Sequence, residues 1–498
     1  MSPRSISFSA LVLVACSAAS TEDRAPRPNI LLITLDTLRA DHLSCYGYPV
    51  ATSPRIDAFA AAATRYAQCF ATSSWTVPSH ASLFTGRHPF EHGAYSYDVD
   101  VLQRNVYPLD HDHLTLAEVL AQEGYTTGGI VCNTTYLDPY FQLNQGFETW
   151  DVERDRAEGV NARALRWIDG WIDEHGSGVE GGKPFFLFLN YLDTHRPYNT
   201  TPKAGEAQFR RKSKDLLNAM IERVLVEGQP AGDLADELIP QYDRAVRNVD
   251  AALGELFEAL VERGLWDDTV IVLTSDHGEY FGEHELVEHS KDIYVEGLAV
   301  PLIVKRPYQT EGEVVTTPAS LVDVPRLILA NLGRELEERL AARFRYVPGN
   351  HPILAELHYS RSKDLLSPDY GQRFRRVRTA LYDGGYKYIH SSDGADELYR
   401  LADDPGETRN LIDAEPALAA ELAVKLAAIQ SRDRWDPGPP PRVAIDPGQL
   451  SEMQALGYAG EEDYAGEEDH AGDADHAGDA DHAGGADAGG ERRDQPNR

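Results

Sequence analysis

Three short segments set acids, imidazole and hydroxyl where a hard cation and a nucleophile would be needed. Asp36 closes the apolar run NILLITLD (29–36), Asp276 and His277 follow TVIVLTS (269–275), and Thr76 lies in SSWTVPSHASLFTG (73–86). Carboxylate together with imidazole suits zinc or manganese better than calcium, with calcium and magnesium as the remaining options. A divalent ion on Asp36, Asp276 and His277 would lower the pKa of a coordinated Thr76 hydroxyl and screen an anionic substrate from the incoming alkoxide. That is the chemistry of phosphoryl or sulfuryl transfer. The run ASLFTG reads as the start of a helix, whose N-terminus would favour a nucleophile and bind a tetrahedral anion. Taken singly, a threonine before X-Pro is a cap or turn, and an isolated Asp or His is a loop residue. Recurrence at three strand ends gives these residues a joint meaning.

The elements that must position them form an alternating pattern. NILLITLD, PFFLFLNYLDTHRPY (184–198) and TVIVLTSDHGEYFGEH (269–284) are near-continuous apolar runs ending in acids and histidines. Such runs read as strands buried on both faces of a parallel sheet, whose functional loops gather at the carboxyl ends. Between the last two runs, Val246, Val249, Leu253, Leu256, Phe257, Leu260 and Val261 make one helical face that stops at Gly264. Strand and helix alternation predicts an α/β domain over 27–330. Residues 331–432 change texture, with a Gly-Gly turn inside RRVRTALYDGGYKYIH (375–390), ELYRLADDPGETRNLID (397–413) and a helix near 415–430, and predict a smaller α+β subdomain closing on the first. A Pro-rich linker and terminal motif follow over 433–457. The polar insertion at roughly 199–240 carries Arg210, Arg211, Lys212 and Lys214, read as a solvated helix face.

The 498 residues suffice for about three domains of ~150 residues each and a large core. A formal charge of −33 excludes a general nucleic-acid footprint. Residues 1–20 carry Arg4 and then ISFSALVLVAC, the layout of a secretory signal, too short for a membrane span. Leu13-Val14-Ala15-Cys16 reads as a bacterial lipoprotein box, so the expectation is export to the cell envelope and membrane attachment through acylated Cys16; the other reading is an ordinary signal peptide. Cys45, Cys69 and Cys132 are then left, an odd number that allows one disulfide plus one buried thiol. From 458 to 498 a six-residue repeat, YAGEED to HAGGAD, and a polar end hold 13 acids and three arginines, a composition predicted to stay disordered. Its His470, His476 and His482, interleaved with aspartates, read as part of a solvated spacer.

Along nearly the whole mature chain the sequence resembles the sulfatase family of the alkaline phosphatase superfamily. The resemblance is carried by RPNILLITLDTLRADHLSCYGY (27–48), SSWTVPSHASLFTG, LDTHRPY (192–198), TSDHGEYFGEHELVEHS (274–290), AVPLIVKRP (299–307), ELYRLADDPGETRNL and EMQALGYAG (452–460). It implies an alkaline-phosphatase-like, mostly parallel central sheet sandwiched by helices, a metal at the carboxyl ends of its strands, and a C-terminal subdomain that adds to the site wall. The chain departs from the family where chemistry is decided. Sulfatases carry a Cys or Ser oxidised to formylglycine in C/S-x-P-x-R, whereas here Thr76, Pro78 and His80 hold those positions. Asp36-Thr37 replaces a pair of aspartates, Asp276-His277 replaces Asp-Asn, and Cys132-Asn133-Thr134 lies where a Lys-x-His clamp would be. The chain thus looks like superfamily members that use threonine itself: phosphodiesterases, phosphonate-type hydrolases and phosphoethanolamine or phosphoglycerol transferases. Carried over by position, Thr76 is nucleophile and metal ligand, with Asp36, Asp276 and His277 the other ligands. His195 and His289 fall where the family places substrate or second-metal histidines. His80 replaces the arginine that orients the nucleophile, and Arg39, Asp193, His284 and Lys291 line the same loops as substrate-binding candidates.

The expected activity is metal-dependent cleavage of an anionic phosphate ester or phosphodiester through Thr76, or transfer of a phosphorylated headgroup. Two other readings stand beside it: a sulfuric ester hydrolase acting on an aryl or carbohydrate sulfate, and an inactive lipoprotein that binds an anionic polymer.

Overall fold

The computed structural model describes residues 27–176, 183–432 and 434–440, with 448 and 451. Cys16 and its leader, the terminal motif and the acidic repeat all lie outside the described residues. Among the described residues no helix is long and apolar enough to cross a membrane.

An eight-stranded sheet organises the larger part. Its strands in chain order are β1 (Asn29–Leu35), β2 (Thr64–Tyr66), β3 (Thr126–Val131), β4 (Thr149–Val152), β5 (Phe185–Tyr191), β6 (Thr269–Thr274), β7 (Leu302–Lys305) and β8 (Glu313–Val315). Across the sheet the order is β8-β2-β7-β6-β1-β5-β3-β4. β1 lies centrally, parallel to β5 with Leu32 opposite Phe188, and parallel to β6 with Leu32 opposite Val272. Only β7 runs against its neighbours, pairing antiparallel with β6 and β2. All seven residues of β1 and of β5 are buried, because helices cover both faces and leave no solvent side for polar alternation. Burying each Leu, Ile or Phe there contributes roughly 1.5–3 kcal/mol.

Three helices matter for the site. α1 (Thr76–Thr85) is buried along its entire length, α2 (Ala157–His175) covers β3 and β5, and α3 (Asp233–Glu262) is the long helix that precedes β6. α3 buries Val246, Val249, Leu253, Leu256, Phe257 and Leu260 as expected, but Val261 is 56% exposed and belongs to the outer flank. The insertion contributes the first turns of α3, so part of that segment is helical. Arg210, Arg211 and Lys212 are exposed and Lys214 is half-buried.

A second, antiparallel sheet is built from β9 (Ile353–His358), β10 (Val377–Asp383), β11 (Tyr386–Ser391) and β12 (Glu397–Arg400) in that order. β10 and β11 are joined by Gly384 and Gly385 at φ +58° and +83°, the left-handed pair that a two-residue hairpin turn requires. Helix α4 (Pro416–Gln430) packs Ala419, Leu422 and Leu426 against Leu354, Leu381, Tyr388 and Leu398, so this sheet has its own small core. The amide of Glu356 on β9 donates to the carbonyl of Thr72, fastening the second sheet to the segment that leads into α1 (2.8 Å). Cys45, Cys69 and Cys132 are all free, Cys69 and Cys132 being buried, so the disulfide that their number allowed is not formed.

Candidate active site

Four adjacent parallel strands deliver the site. Asp36 follows β1, Asp276 and His277 follow β6 by two and three residues, Asn133 follows β3 and His195 follows β5. One ligand atom each from Asp36, Asp276 and His277 falls within a 4.8 Å group, and all three residues are fully buried. The chain bends sharply to achieve this. Thr37 sits at φ +61°, a left-handed conformation that strains a β-branched residue by on the order of 1–3 kcal/mol. Its amide donates to Asp276 Oδ1 (3.2 Å), its hydroxyl donates to the Thr194 carbonyl (2.6 Å), and its carbonyl accepts from the Tyr242 hydroxyl (2.7 Å). Gly278 answers to packing: a Cβ there would stand 2.0 Å from the Glu296 carbonyl oxygen.

The electrostatics fit a cation. Asp36 Oδ1 and Asp276 Oδ2 accept no hydrogen bond of normal geometry. Burial, then the neighbouring Asp276 charge, pushes the Asp36 carboxyl well above its ordinary range. Burial pushes Asp276 up to about 7 although three backbone amides and Thr76 pull it down. Two desolvated carboxylates a few ångströms apart with open lone pairs form a site that a divalent ion would satisfy. His277 is prepared for the same role. Its Nδ1 lies 3.0 Å from the Gly278 carbonyl, so this nitrogen carries the proton and Nε2 faces the group, while burial holds the ring neutral. Asn133 Nδ2 donates to Asp36 Oδ2 (2.9 Å), and Asn133 is itself fixed by Asn190 and Tyr136.

Thr76 completes the group. Its Oγ1 is 3.4 Å from His277 Nε2, and Thr76 is the first residue of α1, with Trp75 as the cap. The helix therefore starts five residues before the ASLFTG run, which instead ends it at Gly86, φ +61°. Pro78 is accommodated because a first-turn residue needs no amide hydrogen bond. His80, one turn on, bonds through Nδ1 to the Thr76 carbonyl (2.9 Å), with Asp276 Oδ2 at 3.6 Å. Burial drives its pKa down to about 3, so it stays neutral where an arginine would be charged.

A profile of the sulfatase family matches residues 28–333, well over half the chain. The chain belongs to the sulfatase family. It is 26% identical to the multifunctional alkaline phosphatase superfamily protein PehA of Trinickia caryophylli, with 79% of this chain and 93% of that protein covered. Arylsulfatase A of Bos taurus is also 26% identical, with coverage of 80% and 86%. The phosphonate monoester hydrolase of Agrobacterium radiobacter shares the fold at a TM-score of 0.57 and 21% identity, over 82% of this chain and 96% of that one. As a family member the protein is a metal-dependent hydrolase of the alkaline phosphatase superfamily.

In this sulfatase-family chain the other sequence candidates divide. His289 is brought beside the metal group: its ring centroid lies 4.7 Å from that of His277 and 5.1 Å from that of His195. Both rings are buried and held well below the ordinary histidine range, chiefly by desolvation. His195 and Asp193 also line a neighbouring cavity of about 790 Å³. Asp193 is pushed up to about 6 by burial and accepts from Asn199 Nδ2 (2.6 Å). Arg39 is committed to Asp41, Glu283 and the Glu279 carbonyl, and His284 to Glu296 (3.3 Å) and the face of Tyr294. Lys291 lies in an ion cluster with Glu288 and Asp364. Sequence reading missed Glu279, whose Oε1 meets His289 Nδ1 at 3.0 Å although it stands three residues after Asp276 in a quoted motif. It also missed Arg196, Glu288 and Arg361, whose relation is purely spatial.

Proposed function

We propose that the protein hydrolyses a phosphate ester or phosphodiester with Thr76 as covalent nucleophile, water or an alcohol accepting the group in the second half-reaction. The observation that carries this reading is the identity and placement of Thr76: a hydroxyl at the first position of a buried helix, facing His277 and two uncompensated carboxylates. Threonine is no precursor of formylglycine, so the hydroxyl itself must act.

Asp36, Asp276 and His277 would hold a divalent cation, which when bound supplies Lewis acidity toward the anionic group. The remaining work belongs to the chain. The Thr76 Oγ–H bond breaks as an Oγ–P bond forms and the ester P–O bond opens, with a proton reaching the leaving oxygen; water then breaks Oγ–P and restores the hydroxyl. The N-terminus of α1 directs its unpaired amide and dipole at the charge that develops. His195 and His289, whose rings stand 5.1 Å apart beside His277, would pass the proton to the leaving oxygen and back. Asn133 fixes Asp36.

Relatives named for phosphonate monoester hydrolysis support phosphorus chemistry, and the arylsulfatase A relationship supports the second reading, sulfate ester cleavage. Against the second stand Cys132 and Thr134, neither of them cationic, at the positions where the resemblance places the lysine and histidine of a sulfate clamp. An idle binding protein would have no use for two buried, uncompensated carboxylates.

The deciding experiment supplies the protein in turn with zinc, manganese, magnesium and calcium and compares aryl phosphate, phosphodiester, phosphonate and sulfate. Expected is metal-dependent phosphoester cleavage that Thr76→Ala lowers by roughly 10⁴-fold or more, with a phosphorylated Thr76 peptide trapped in the parent. Cleavage of sulfate alone, or a Thr76→Ala protein as active as the parent, overturns the reading.

A further inference from the structure

Beside the metal group lies a second buried cluster to which the reaction above assigns nothing. Glu288 is fully buried, and its carboxylate meets three cations: Arg196, Arg361 (2.6 Å) and Lys291 (3.3 Å). Asp364 meets Lys291 (3.1 Å) and Arg361 (2.8 Å) and accepts from the Ser360 hydroxyl (3.1 Å). These groups belong to three segments far apart in the chain. Arg196 adjoins His195, Glu288 and Lys291 flank His289, and Ser360, Arg361 and Asp364 follow β9 of the second sheet.

The backbone of the middle segment is unusual. Glu288 and Ser290, on either side of His289, sit at φ +66° and +61°, a conformation non-glycine residues adopt only when surroundings impose it. The surroundings are visible. The Ser290 amide donates to the Ser74 carbonyl (2.9 Å), two residues before Thr76, and the Ser290 carbonyl accepts from the Ser360 hydroxyl (2.5 Å). Glu288 is thus the point where the His195 loop, the His289 loop and the C-terminal subdomain are joined, and the same loop is tied to the segment bearing Thr76.

We propose that Glu288 and Arg361 form a positioning pair that sets the separation of His195 and His289 and aims both at Thr76, so that the C-terminal subdomain acts on the reaction through Arg361 without touching the substrate. Neither residue contributes a ligand to the metal group. Arg361 presents two donors in a fixed fork, one to Glu288 and one to Asp364, which a lysine at the same place cannot reproduce.

The inference assumes that the site is catalytic, as proposed above, but its test does not depend on which ester is cleaved. Metal-loaded parent, Glu288→Gln, Arg361→Lys and Arg361→Ala are assayed on whichever ester the parent turns over. A parent that cleaves only sulfate removes the phosphoester reading and leaves this comparison intact. Expected is a fall in kcat of about 100-fold in Glu288→Gln and Arg361→Ala, the scale of a roughly 1 Å misplacement. KM and the Kd for inorganic phosphate by calorimetry stay within about threefold and metal content is unchanged. Arg361→Lys falls between, and free guanidinium restores at least part of the Arg361→Ala rate. Since truncation of a buried ion pair risks misfolding, Arg361→Lys with a parental melting temperature is the decisive variant. The proposal is overturned if kcat is unchanged in that variant, if KM and Kd rise in step with the loss, or if metal content falls by the same factor.

Discussion

Two buried groups of charge lie side by side in this molecule and are built on opposite principles. In the metal group, Asp36 and Asp276 have oxygens without hydrogen bonds, and burial lifts both carboxyls toward protonation. In the cluster around Glu288, each acid meets at least two cations, and Asp364 is held far below the usual carboxylate range: burial opposes its charge but Arg361, Lys291 and Lys363 outweigh it. The first group is incomplete without an external cation. The second surrounds both of its acids with cations and can hold loops in place before anything binds.

The comparison breaks most visibly if one acid of the ion-paired cluster is removed. Asp364→Asn leaves Lys291 and Arg361 buried with Glu288 as their shared counter-charge, and removing one partner of a buried ion pair typically costs about 3–5 kcal/mol. Urea denaturation at neutral pH is expected to show a loss of that size with and without added metal. A change under about 1 kcal/mol would mean that water reaches the cluster and that it is no rigid support.

The opposite sign is expected in the metal group. In metal-free protein Asp36→Asn removes an unfavourable buried charge, so the variant should melt above the metal-free parent. Adding metal should reverse the order, because the parent gains about 2.7 kcal/mol at a cation concentration 100 times Kd while the variant, short of a ligand, gains less. Differential scanning calorimetry with chelator and then with zinc or manganese measures both halves. Equal melting of parent and variant in both conditions would show that these acids are not a metal site.

The two groups also differ in how far the chain announces them. β1, β5 and β6 are legible because helices bury both their faces, and Asp36, Asp276 and His277 are legible because they interrupt that apolar pattern at its end. The sequence places the start of α1 too late, at the run ASLFTG, because Pro78 and the polar residues around it mask the first turn; yet proline is harmless there and the hydroxyls find buried partners such as Ser79 Oγ to the Ser73 carbonyl (2.8 Å). Arg361 has no local signal at all, since its partner Glu288 stands 73 residues away and neither falls on a periodic face. The cysteine count left a disulfide open for the converse reason, pairing being a matter of proximity that counting cannot supply. Residues that serve a site through chain-end geometry are visible in sequence, and residues that serve it through long-range ion pairs are not.

A third buried pair sharpens the distinction at smaller scale. His351 Nε2 lies 2.6 Å from Asp323 Oδ1, and Asp323 also caps its own helical turn through the Ser320 amide. Burial works against a charged His351, but the Asp323 carboxylate prevails and the pKa is raised. A histidine whose folded pKa exceeds its unfolded value contributes stability that is complete below the unfolded value, near 6.5, and is lost as pH rises through the raised one. Parent minus His351→Gln stability should therefore be larger at pH 6 than at pH 9, by on the order of 1 kcal/mol. If the His351→Gln difference is flat from pH 6 to 9, the imidazole is neutral throughout, and Asp323 would then resemble the uncompensated acids of the metal group rather than the paired acids beside it.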